Sequence, residues 1–206
     1  MSDTDYQCGS RDYLKRARQL LDDGNLESLF YAALELRSGI EARLREYLEV
    51  AEDISEKRKQ GWRIVKLGKD IEKAFKLGDK IVQLIFYADG GKTASIYHTP
   101  VRLKLRKQAQ QLGDYLHAMK KYRKQDDPWW KSFKSLLDET YNGLDFATKG
   151  TLLGPLVVRP DGKSVKIHHE LKIDSLADEM MLGMGQSKNN IKMDLNYLEV
   201  LPADVK

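Results

Sequence analysis

The stretch from Leu26 to Val50 restricts the possible folds of this chain most, because it reads as one long helix with an arginine in its apolar stripe. At helical spacing Leu26, Phe30, Ala33, Arg37, Ile40, Leu44, Tyr47 and Ala51 share a face, widened by Leu29, Leu36 and Leu48. Arg37 stands where an apolar residue is expected, and Glu41 follows one turn later within hydrogen-bonding reach. A charge on the buried side of a helix needs a partner. The pair is therefore expected to be a structural ion pair or the edge of a polar site.

Around this helix the apolar periodicity predicts others. Arg11 to Asp23 forms a first helix ending at Gly24, and Asn25 caps the long one, which is expected to run to about Lys57. A third spans roughly Gly61 to Lys76. The period then changes: Ile81 to Tyr87 and Thr93 to His98 flank Asp89-Gly90-Gly91-Lys92, a hairpin signature. Thr99-Pro100 restarts a helix expected to reach about Tyr122, and Asp127-Pro128 opens another that ends near Lys149-Gly150. After Gly150, residues 156–158 and 164–173 read as strands about a Pro160-Asp161-Gly162 turn, with Val165, Ile167, His169, Leu171 and Ile173 inward. Asp174 opens a short helix through Leu182, and Ile191 to Leu201 is a last strand. The expected fold is α+β: a predominantly helical bundle of four to five helices over residues 1–150, a β-hairpin inserted at 81–98, and a small β-rich C-terminal appendage at 151–206.

No apolar run approaches the roughly 18 residues of a membrane span, and the first residues lack the basic and apolar regions of a signal peptide. Cys8 is the only cysteine, in a polar leader. These features point to a reducing cytoplasm. The net charge of +4 is modest but unevenly spread: Lys57 to Lys80 carries +6, Arg102 to Lys124 carries +7, and the remainder −9. Lys57, Arg58, Lys59, Arg63 and Lys66 in the first window, with Arg102, Lys104, Lys107, Lys120, Lys121 and Lys124 in the second, are candidates to bind RNA or DNA. The alternative is that these are the solvated faces of ordinary helices.

Several chemistries are disfavoured. Pro160-Asp161 with Glu170-Leu171-Lys172 has the letters of a metal-dependent nuclease, but Asp161 and Glu170 stand nine residues apart, roughly 30 Å along a strand. His168 and His169 point to opposite faces of a strand and cannot share one ion without a bulge. Neither nucleotide-binding glycine fingerprint occurs, nor a nucleophile elbow. No metal or cofactor is called for. Trp129-Trp130 opens a helix where one ring joins the stripe of Phe133 and Leu137, so core anchoring is expected over base stacking.

Two helices carry glycine inside an apolar pattern, Gly39 and Gly113, at a cost of roughly 1 kcal/mol relative to alanine that close helix approach would explain. If they meet there, Arg37, Glu41, Asp114, Tyr115 and His117 form one polar cluster. Ala33-Leu34-Glu35-Leu36-Arg37-x-x-Ile40-Glu41, followed by Leu112-Gly113-x-Tyr115-Leu116-His117, resembles the helical core of HEPN-type bundles. These are small prokaryotic bundles frequent in toxin–antitoxin and phage-defence loci, and several are RNases. The resemblance covers residues 11–60 and 100–148. The family's RNases carry arginine, four to six residues and histidine on one helix, and no Arg–His pair here has that spacing. The resemblance then implies the bundle and a binding role. The reading is a non-catalytic cytoplasmic interaction protein, of a bacterial defence or mobile-element system, with a protein or nucleic-acid partner; a homo-oligomer is compatible with it. The rival is a HEPN-like RNase using Arg37 and His117.

Overall fold

A computed structural model describes residues 6–52, 54–59, 61, 63–87, 93–117, 122–158, 165–170 and 192–205. They form two compact units: residues 1–76 with 101–148, and 77–100 with 149–206. The fold is α+β and mostly helical, as the periodicity predicts. Five substantial helices and one single-turn helix account for the helical part among the described residues.

The first unit is built on its longest helix. α1 (Ser10–Asp23) packs along α2 (Leu26–Glu49), burying Leu14, Ala17 and Leu21. Asn25 caps α2 as expected, its Oδ1 accepting from Ser28 N at 2.8 Å. α4 (Ile64–Phe75) and α5 (Leu103–Tyr115) pack against α2 as well. α6 (Trp129–Lys149) reaches it through Phe133 and Leu144; an ideal Cβ on Gly39 would stand 2.7 Å from Leu144 Cδ2 and 2.9 Å from Tyr13 Cβ. Gly39 thus lets α1 and α6 close on α2. Leu36, Ile40 and Leu48 are fully buried along it, each contributing about 1.5–3 kcal/mol.

Three helix boundaries differ from expectation. α2 stops at Glu49 instead of Lys57: Ala51 N bonds Leu48 O, Ile54 N bonds Ala51 O, and both side chains turn into the core. The one-turn α3 (Glu56–Lys59) follows, opened by Ser55. α5 begins at Leu103, not at Pro100, because the Thr99 hydroxyl that was to cap it accepts from Gly150 N at 3.0 Å. It ends at Tyr115 rather than Tyr122. At α6 the cap forms as predicted, with Asp127 Oδ1 accepting from Trp129 N at 2.9 Å.

The second unit holds β1 (Ile81–Tyr87) and β2 (Thr93–His98), antiparallel from Val82↔His98 to Tyr87↔Thr93, and β5 (Lys192–Leu198) antiparallel on the other edge of β1. Val82, Leu84, Phe86, Ala94, Ile96 and Leu152 form its core, with Ile167 and Met193 packed against it. β3 (Val157–Val158) and β4 (Val165–Lys166) make a two-stranded ladder, and Leu152 bridges His169. The Asp89 and Pro160 turns and the expected helix after Asp174 lie outside the described residues.

Candidate nucleic-acid interface

The first correction concerns α2. Arg37 is only half-buried, its side chain 25% exposed, and its Nη1 lies 3.8 Å from Glu41 Oε2. Glu41 makes its closer pair with Arg45, at 2.6 Å. The buried arginine is Arg43, which the stripe reading missed. Its Nε donates to Ala147 O at 2.9 Å and to Tyr47 Oη at 3.1 Å, its Nη1 to Glu46 Oε2 at 2.9 Å. Glu46 also accepts from Ser10 N and Oγ at the start of α1. The charge is offset by a carboxylate and two further acceptors, as a buried guanidinium requires. The sequence carries no signal separating the two arginines, since packing of α2 on several sides leaves a buried arc wider than one stripe.

Arg37 does reach α5. An ideal Cβ on Gly113 would stand 3.2 Å from Arg37 Nε, so the glycine makes room for the guanidinium. Beside this contact opens a pocket of about 800 Å³ in the first unit. Arg37 of α2 forms one wall, and Gln110, Gly113, Asp114, Leu116 and His117 of α5 and its exit form another. The first two turns of α4 and its cap close it with Arg63, Ile64, Val65, Lys66 and Lys69. Four fixed cations face one acid, Asp114. Lys66 and Lys69 are exposed, and neither makes an ion pair among the described residues.

The start of α4 is basic, as is that of α5, where Arg102 is the N-cap and Lys104 stands in the first turn. Arg63 is the N-cap of α4 and makes no side-chain capping bond; the first turn of α4 holds no acid and carries Lys66. Positive charge at a helix N-terminus opposes the macrodipole, by about 0.3–1 kcal/mol for each residue. An anion in the pocket would relieve that repulsion.

Of the expected polar cluster, Arg37, Asp114 and His117 line this pocket; Glu41 and Tyr115 do not. Tyr115 turns to α6, where it meets Trp129 and Phe133 edge-on, and its hydroxyl accepts from Gln111. Trp129 stacks on Phe133 at 4.8 Å with Arg123 over its ring at 4.4 Å, and Trp130 meets Phe30. Protein neighbours therefore occupy the tryptophan pair.

The basic windows divide. Arg63 and Lys66 are in the pocket, joined by Lys69, which was not among the expected residues although it stands one turn after Lys66. Arg58 pairs with Asp70, and Lys59 is buried against Glu49 O and Glu56. Lys57 is exposed on α3. In the second window Arg102 covers the Phe146 ring at 4.2 Å. Lys104 bonds Glu139 at 2.8 Å and thereby holds that carboxyl below the ordinary glutamate range. Arg106 pairs with Glu72 at 2.6 Å. Lys107 and Lys124 are exposed, and Lys120 and Lys121 lie outside the described residues.

Among the described residues no group of three or more His, Cys, Asp and Glu is placed to hold a metal, and no helix is long and apolar enough to cross a membrane. Asp161 and Lys172 of the nuclease-like letters are outside the described residues. No protein-family model, curated protein or solved structure matches the chain.

Proposed function

We propose that the protein is a non-catalytic cytoplasmic interaction protein, with a bundle of HEPN-like type from a bacterial defence or mobile-element system, that binds nucleic acid through this pocket. The observation that carries the reading is the convergence of Arg37, Arg63, Lys66 and Lys69 from two helices and a cap on one concave space with a single acid. Exposed lysines held near one another attract phosphates and release counterions when they bind them. The lone cysteine fits a reducing compartment. Fluorescence anisotropy with labelled RNA and DNA at low salt tests the reading. Binding that weakens steeply with salt, and is lost in Lys66→Glu/Lys69→Glu, supports it; absence of binding at low salt refutes it.

A second reading rests on Arg37 and His117 lining the same pocket. An imidazole beside a guanidinium suits RNA cleavage, the first moving protons and the second stabilising charge that develops on the phosphorus oxygens. Purified protein incubated with mixed RNA decides between the two. Cleavage that disappears in both Arg37→Ala and His117→Ala favours the RNase.

A further inference from the structure

We infer that the pocket receives a phosphomonoester, the terminal phosphate of a nucleotide, and not only the diesters of a passing strand. This rests on the nucleic-acid reading above and narrows it. Three features of the pocket support the choice. The first is size: residues of α2, α4 and α5 line a half-open space of about 800 Å³, within the roughly 300–1,000 Å³ of pockets that take a compact ligand. A chain end or a single nucleotide matches a space of that size.

The second is charge. Arg37, Arg63, Lys66 and Lys69 outnumber Asp114 along the lining, and Lys66 and Lys69 make no ion pair among the described residues. A monoester carries about −1.5 to −2 at neutral pH and three strong acceptor oxygens, against one charge for a diester. The third is directional donors. Lys66 N and Leu67 N bond Arg63 O, whereas the Ile64 and Val65 amides have no acceptor among the described residues. Both residues line the pocket, and the side chains of Ile64, Val65 and Leu116 offer apolar surface for a sugar or base.

Competition binding at fixed salt tests this with one short RNA sequence prepared three ways, with a 5′-phosphate, with a 3′-phosphate, and with hydroxyls at both ends. A nucleoside monophosphate serves as a fourth competitor. The expected result is that an end phosphate tightens binding at least about tenfold, the effect of one or two charge-assisted hydrogen bonds. That preference should vanish in Lys66→Glu. This variant places a carboxylate in the first turn of α4, where the helix dipole favours it, and a thermal melt will show that the fold is retained. Strong competition by the monophosphate would identify a free nucleotide as the source of the phosphate, and weak competition a strand end. Equal affinity for all three strands, or a preference surviving in Lys66→Glu, overturns the phosphomonoester while leaving nucleic-acid binding intact. Failure of every strand and of the monophosphate to bind at low salt removes both.

Discussion

Arg43, with none of its side chain exposed, donates from Nε to the carbonyl oxygen of Ala147, so that α2 grips the last turn of α6 from inside the bundle. The same guanidinium reaches Glu46, which in turn accepts from Ser10 at the start of α1. One buried charge therefore ties three helices. Arg43→Ala leaves the Ala147 carbonyl and Glu46 without this donor and opens a cavity, and is expected to cost about 3–5 kcal/mol. Arg43→Met keeps most of the volume and should cost less. Urea denaturation of both variants measures the difference; a cost under about 1 kcal/mol for Arg43→Ala would show the network to be dispensable.

Arg37 should behave in the opposite way. Its contact with Glu41 is long and partly solvated, and Glu41 has Arg45 as a nearer partner. Such a pair is worth at most about 1 kcal/mol. Arg37→Ala is expected to leave stability within that margin, with little coupling to Glu41→Ala in a double-mutant cycle, yet to weaken nucleic-acid binding. A large stability loss without a change in binding would remove Arg37 from the interface.

Gly68 carries the approach of α5 to α4. A Cβ there would overlap the Arg106 side chain, which is buried and bonded to Glu72. Gly68→Ala gains roughly 1 kcal/mol in helix propensity but must displace that side chain, and a net loss of about 1–3 kcal/mol is expected. With Arg106→Ala, which removes the obstructing Cδ and guanidinium, Gly68→Ala should cost less than it does in the parent. Thermal melts of the single and double variants will show whether the losses are coupled; simple additivity would place the effect elsewhere.

The salt dependence of binding reports the number of phosphate contacts. Each lysine removed from a single-strand interface lowers the slope of log affinity against log salt by roughly 0.7. Lys66→Ala/Lys69→Ala should therefore flatten it by about 1.4 relative to the parent. Lys134→Ala, an exposed lysine of α6 outside the pocket, should not alter it. An unchanged slope in the double variant would move the interface away from α4.

Local signals carried much of the fold. The caps at Asn25 and Asp127, the strand pair about residues 81–98 and the helical periods all depend on side chains acting within a few residues, and these were legible. The end of α2 and the start of α5 were not. Ala51 and Ile54 are drawn into the core, and the Thr99 hydroxyl is engaged by an amide far along the chain.

The candidate site divides in the same way. Charge density in the Lys57–Lys80 window and the oddity of Gly113 could be read directly, and Arg37, Asp114 and His117 do meet at one pocket. Which arginine of α2 is buried could not, because Arg37 and Arg43 sit in equally apolar surroundings along the chain. Only the packing of α1 and α6, closed over Gly39, seals one of them from water and leaves the other at the pocket wall. Periodicity determines which faces of a helix are apolar; the neighbours that cover those faces determine whether a charge among them is a strut or a ligand-binding group.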